Sequence, residues 1–444
     1  MFLQIHTLTS FAAALLNRDD AGLAKRIPFG NAERMRVSSQ CLKRHWTGNL
    51  RALIEQKTGN WEKFERGWRT RNFFDRAVLP AVNGALKTIY PDQQKRNEIA
   101  IAATWELACG CFTKAKKKKD VEKLLEPAKL ADPLEMPESM KIDIEKGEVI
   151  PSPKQPALFG RPEADFFVRQ IIEISEKAKG DVPQIRKAIR ELALLKWRER
   201  DKAKDAGTMV DALIRSEAGQ PLFAGIEGAL FGRFVTSDIL ARSDAAVHVA
   251  HAFTVHPLST EVDYFTVVDD LKEADEDAGA AHAGDMELGA GLFYGYVVVD
   301  VPLLVSNLCG CDPAQWKTQP AEALRDARDV LERLVQAIAT VSPGAKLGAT
   351  APYARAELVL LESGAAQPRT LANAFLQALK PKDNPLQQAV DALGQHLGAL
   401  DAMYGKEERR FVASTQNTAS LADIPYAPVK DSVRAALDGL FGAA

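Results

Sequence analysis

The densest chemistry in the chain lies in the run Arg34-Met35-Arg36-Val37-Ser38-Ser39-Gln40-Cys41-Leu42-Lys43-Arg44. Ser38-Ser39-Gln40 reads as a helix start, which sets hydroxyl and amide side chains beside unpaired backbone N–H groups. Together with the helix dipole, such groups attract a phosphate. Lys43 and Arg44 follow within the next turn and would neutralise neighbouring phosphates along one nucleic-acid strand. Arg18 and Lys25 stand on the polar loop just upstream, where they would close on the same backbone. The plainer reading is a serine-capped helix with a solvated basic end.

Other candidate groups are scattered. Lys114 and Lys116 to Lys119 form a basic run, and helical spacing puts Arg186 and Arg190 on one face, with Lys187 beside them. Such a patch would follow a phosphate backbone or simply face water. Phe234, Tyr264 and Phe265 would wedge or stack against bases if they project from a hairpin, and would be core otherwise. Cys109-Gly110-Cys111 and Cys309-Gly310-Cys311 are spaced too tightly for the usual zinc pattern and read as buried free thiols. His248 and His251 fall on opposite faces of an alternating strand, which argues against a joint site. Asp19-Asp20 and Asp269-Asp270 would hold a divalent metal or, more simply, cap turns. No phosphate-binding glycine loop, nucleophile elbow or dinucleotide fingerprint occurs, so no catalytic residue, metal ligand or cofactor is expected.

The elements that must position these residues are mixed. Phe2–Thr9 and Arg34–Val37 read as strands around the polar loop at 17–22. From about 49 to 213 the pattern is mainly helical, with Trp61, Phe64 and Trp68 as a helical stripe and a helix over Arg96–Phe112. Prolines at 127, 133, 137, 151, 153 and 156 predict an irregular connection. Helical periodicity returns over 166–174 and 185–197. Strands are expected at 230–235, 247–255, 264–268, 292–299 and 358–362, and helices at 320–339, 371–379 and 386–403. The acidic, Ala/Gly-rich stretch 269–291 has the composition of an exposed loop.

Charge is distributed unevenly over the 444 residues: 37 Lys and Arg face 26 Asp and Glu in residues 1–200, against 20 and 33 in residues 201–444. Such asymmetry fits a polyanion-binding face, or a subunit whose basic side meets the acidic side of its own copy. No apolar run reaches the ~20 residues needed to cross a bilayer. The start carries no secretory pattern, and five cysteines make no disulfide framework, so a cytoplasmic protein is expected.

The run IHTLTSFAAALLNRDDAGLAKRIPFGNAERMRVSSQCLKR resembles the start of the CasC family, the repeated backbone subunit of type I-E CRISPR Cascade complexes. Similarity continues at ALFGRFVTSD (229–238), VAHAFTVHPLSTEVDYFTVVDDL (249–271), GLFYGYVVVDVPLLVSNL (291–308), VSPGAKLGATAPYARAELVLL (341–361) and RTLANAFLQAL (369–379). The blocks keep the family's order over nearly the whole chain.

The resemblance implies an α+β, hand-shaped subunit. An RRM-like, ferredoxin-type palm would be formed by 1–55, 222–252 and 289–444, with helical fingers at 56–221 and a thumb hairpin at 253–288. Copies would polymerise along CRISPR RNA beside other Cascade subunits, kinking out bases at intervals and presenting the spacer to target DNA. No membrane is involved, and no catalysis. By the same resemblance Arg18, Lys25, Ser38, Gln40, Lys43 and Arg44 contact the guide. Phe265 wedges around the displaced base, and Phe234 stands where a relative uses methionine. Arg186, Lys187 and Arg190 fall where the fingers touch target DNA. The alternative is a metal-dependent ribonuclease cleaving guide-paired RNA through Asp19 or Asp20, as in related type III subunits.

Overall fold

The computed structural model describes residues 1–57, 61, 63–113, 123–130, 132–194, 225–233, 244–267, 282–380 and 384–442. The chain divides into two compact units: residues 1–56, 247–302 and 320–444 form the first, and 57–246 with 303–319 the second. The helical insertion is expected at 56–221, whereas the second unit starts at 57 and also takes in 225–233 and 303–319.

The first unit is α+β, built on a nine-stranded antiparallel sheet. Its strands run in the order Arg409–Ser414, Ala356–Gly364, Phe2–Ala14, His282–Asp300, Ala252–Thr254, Ala32–Val37 and Arg26–Phe29, while Thr260–Val267 and Val247–Val249 also pair with the long strand His282–Asp300. Strand alternation sends Leu8, Leu358, Leu360 and Val412 to one face, where the helix Pro385–Tyr404 covers them through Ala389, Val390, Leu393 and Leu397. On the other side of the sheet lie the helices Ser39–Glu55, Ala321–Thr340 and Val429–Phe441.

One polar layer crosses four adjacent strands. The fully buried Glu362 carboxylate accepts from His6 Nε2 at 3.0 Å, from both Arg369 terminal nitrogens at 2.8 and 2.9 Å, and from Arg410 Nε at 2.7 Å. His6 Nδ1 lies 2.9 Å from the Tyr294 hydroxyl. Burial alone would raise the Glu362 pKa, but hydrogen bonds from Arg369 and His6 hold it well below the ordinary carboxylate range.

Several local expectations are corrected. Residues 282–291, read as loop, are the first half of the 19-residue strand His282–Asp300. Their glycines and acids weaken strand propensity, yet pairing with Thr260–Val267 on one side and Phe2–Ala14 further along determines the outcome. The expected strand at 230–235 begins as the helix Gly225–Phe231, and the single strand at 247–255 splits into Val247–Val249 and Ala252–Thr254. Trp68 opens the short strand Trp68–Thr70, paired with Ala157–Phe159, rather than continuing a helical stripe. Of the helix expected at 371–379 only a 3-10 turn at Ala372–Phe375 forms.

The second unit packs the helices Gln93–Phe112, Arg161–Lys177 and Val182–Leu194 around an aromatic core in which Phe73 and Phe159 stack at 4.1 Å. Among the described residues, no helix is long and apolar enough to cross a membrane.

Candidate nucleic-acid interface

The loop at 17–25 and the start of the helix Ser39–Glu55 are fastened together by one asparagine. Asn17 Oδ1 accepts from the Ser38 N–H at 2.9 Å, and the Asn17 carbonyl accepts from the Lys25 N–H at 2.9 Å. Ser38 takes the extended N-cap conformation, and its Oγ accepts from the Cys41 N–H at 3.3 Å. The capping reading therefore holds for Ser38, which is itself buried. Gln40 and Arg44 are exposed on the first turns, Lys43 is half-buried, and burial lowers the Lys43 pKa.

Lys25 lies close enough to the helix start to oppose the burial-driven rise of the Cys41 thiol pKa. Arg18 is exposed on the same loop, bridged through its backbone to Ala24. Asp19 shapes the turn, its Oδ1 accepting from the Ala21 and Leu23 N–H groups at 2.9 and 3.0 Å. That engagement matches the turn-capping reading of this acid. The structure thus gathers Arg18, Lys25, Ser38, Gln40, Lys43 and Arg44 at one corner of the first unit.

Phe265 stands elsewhere in that unit, on the hairpin made by Thr260–Val267 and the start of the long strand. It is half-buried and directly opposite Gly284, where a Cβ would come within 2.9 Å of its ring. The absence of a side chain at Gly284 gives the ring its seat. Lys346 Nζ stands 5.3 Å from the ring centroid, a cation–π distance. Tyr264, its neighbour, is exposed. Phe234 and the basic run at 114–119 lie outside the described residues.

The patch at 186–190 does not survive intact. Arg190 is 2% exposed, donates through Nε and Nη2 to the buried Glu106 carboxylate at 3.1 Å each, and also bonds the Lys129 and Asp132 carbonyls. Its guanidinium is consumed inside the second unit, because a buried carboxylate on the facing helix requires a counter-charge. Arg190 is therefore withdrawn from the expected DNA-contacting patch. Arg186, 21% exposed, also leans towards Glu106 at 3.8 Å, while Lys187 is exposed.

Two positions escaped sequence reading. Glu287, buried on the long strand, accepts from the Ala24 N–H at 2.6 Å and pairs with Arg26. Arg36 Nη1 lies 2.9 Å from His251 Nδ1, beside Lys25. Arg36 was visible as an arginine alternating with Arg34, but Arg34 is fully buried and spent on the Thr254 and Phe375 carbonyls. Nothing in the sequence separates those two fates.

The class of protein is thereby defined as an α+β chain with a large antiparallel sheet, carrying a basic loop–helix corner and a separate aromatic-bearing hairpin. The chain belongs to the CT1975-like protein family, whose model matches residues 3–437. This agrees with the resemblance to the CasC family. Among solved structures, one titled "CRISPR RNA-guided surveillance complex, pre-nicking" is similar at a TM-score of 0.66 and 23% identity, covering 98% of this chain and 100% of that one. A second, titled "CRISPR RNA-guided surveillance complex", has a TM-score of 0.51 and 19% identity, covering 99% and 100%. At these identities the likeness is one of fold. No match was found among curated proteins.

Proposed function

We propose that this chain is a non-catalytic, guide-RNA-binding backbone subunit of a CRISPR surveillance complex of type I-E. The observation that carries the reading is the convergence of Lys25 on the start of a helix whose first turns expose Gln40 and Arg44, in a chain whose similar folds belong to RNA-guided complexes. The fixed loop and helix grip guide phosphates and sugars through Arg18, Lys25, Ser38, Gln40, Lys43 and Arg44. Gripping the backbone leaves the bases free to pair with target DNA, so sequence reading is delegated to base pairing.

In this reading the first unit is an RRM-like palm and the second unit is the fingers. The segment 253–288, which carries the strand Thr260–Val267 paired with the start of the long strand, is the thumb. Phe265 wedges beside a displaced base, the role that the resemblance also gives to Phe234, which lies outside the described residues. Copies polymerise along one CRISPR RNA with other subunits of the complex in the cytoplasm. Lys187, with Arg186 behind it, remains the candidate contact to target DNA.

The test is to co-purify the tagged chain with its native neighbours and sequence the bound nucleic acid. Uniform RNAs flanked by CRISPR repeats in a large complex are the expected result. Unrelated cellular RNA, or none, would overturn the proposal.

A further inference from the structure

Arg36 approaches His251 in a way that fixes the tautomer of the imidazole. A guanidinium only donates, so His251 Nδ1, 2.9 Å from Arg36 Nη1, must accept, and the ring proton sits on Nε2. Arg36 is held from behind by backbone: its Nε donates to the Arg26 carbonyl at 3.2 Å, and its N–H donates to the Lys25 carbonyl at 2.8 Å. His251 is exposed, and Lys25 and Arg36 are half-exposed.

The groups facing His251 are cationic from each side that carries charge. Arg36 comes from the strand Ala32–Val37, and Lys25 from the loop leading into Arg26–Phe29. From the long strand, the neighbouring Ala250 is met by the Tyr296 backbone carbonyl. Among the described residues, neither Lys25, Arg36 nor His251 is ion-paired to a carboxylate. Burial first, then the charges of Arg36 and Lys25, hold the imidazole pKa below its ordinary value.

We propose that Lys25, Arg36 and His251 form a phosphate-binding subsite that takes one phosphodiester of a bound RNA, His251 Nε2–H and the Arg36 guanidinium donating to its oxygens. The subsite rests on the RNA-binding reading above and extends it to two residues outside the loop–helix corner. It also carries a signature that an ordinary basic patch lacks. A bound phosphate offsets the two cations that disfavour imidazolium, so His251 protonates more readily in the complex, and RNA binding takes up a proton. On protonation, Nδ1 ceases to accept and Arg36 turns its donor to the phosphate.

The experiment follows binding of a fluorescein-labelled single-stranded RNA to the full chain by anisotropy, between about pH 6 and about pH 8. The wild type is expected to bind at least about threefold more tightly at the lower pH. His251→Gln should lose that dependence and bind no more tightly at the lower pH than at the higher. Arg36→Gln should reduce the salt slope by about 0.7, the share of one phosphate on a single strand. As a check independent of variant folding, the His251 ring titration followed by NMR in the wild type should move to higher pH when RNA is added.

An affinity flat with pH in the wild type, an unchanged dependence in His251→Gln, or a ring titration indifferent to RNA would each overturn the subsite while leaving RNA binding standing. Failure of the wild type to bind RNA at any pH would remove the RNA-binding reading, and the subsite with it.

Discussion

Glu287 Oε2 accepts the Ala24 backbone N–H at 2.6 Å, joining the base of the hairpin to the loop that carries Arg18 and Lys25. The other carboxylate oxygen pairs with Arg26, so one buried acid secures both the end of the loop and the strand that follows it. Charge alone would make this acid an impediment to a polyanion; its position makes it a support.

Glu287→Ala separates those two effects. Removing a negative charge beside the basic corner would tighten RNA binding if only electrostatics mattered. Loss of the anchor should instead weaken it, alongside a stability loss of about 1–3 kcal/mol from the unsatisfied Ala24 N–H and Arg26. Anisotropy titrations paired with urea unfolding of the same variant read both terms, and tighter RNA binding would show that the anchor is dispensable.

Lys43→Ala combined with Arg44→Ala should leave the fold in place and weaken RNA binding, most at low salt. Two lost phosphate contacts reduce the slope of log affinity against log salt by about 1.4 on a single strand. An unchanged slope would place both side chains away from the RNA.

Stability should fall with acid in two windows. His256 donates through Nδ1 to the Pro257 carbonyl at 2.8 Å and accepts at Nε2 from the Leu292 N–H at 3.1 Å, an arrangement only the neutral ring can make. Burial, reinforced by Arg34, lowers its pKa against the opposing bond to Pro257. The unfolded chain therefore binds more protons near the ordinary value, so this contribution is present above about pH 6.5 and lost as pH falls below it. Glu362, also lowered, adds a second loss beginning near its ordinary value of 4.5 and continuing downwards. Thermal melts across pH 3 to 8 should show both steps, and His256→Gln should diminish the upper one.

Phe265→Ala should leave the sheet folded, because the ring is half-buried and packs over a glycine rather than into the main core. What should change is the regularity of guide protection, read by nuclease footprinting of the assembled complex. A variant that fails to fold would show that the ring serves the hairpin itself.

Much of the helix–loop corner was legible because its signals are local. A serine before an amphipathic run caps a helix, and Ser38 does. The apolar segments Phe2–Thr9 and Leu358–Glu362 also declared themselves, although the strands they belong to run further, over Phe2–Ala14 and Ala356–Gly364. The first half of His282–Asp300 did not, because its stability comes from partners far along the chain. Gly289 illustrates why: composition marks it as a loop residue, yet in the strand it makes room for the Met35 side chain.

The sequence by itself determined where the basic residues cluster, which segment starts the helix Ser39–Glu55, and the order of the family's blocks. Tertiary structure alone decided which charges remain available. Arg34 and Arg36 stand two residues apart on one strand, and Arg186 and Arg190 one turn apart on one helix. Yet Arg34 and Arg190 are buried against carbonyls and a carboxylate, whereas Arg36 reaches the surface beside His251. A buried guanidinium must find hydrogen-bonding partners, and those partners come from segments dozens to hundreds of residues away, so no local pattern records the difference.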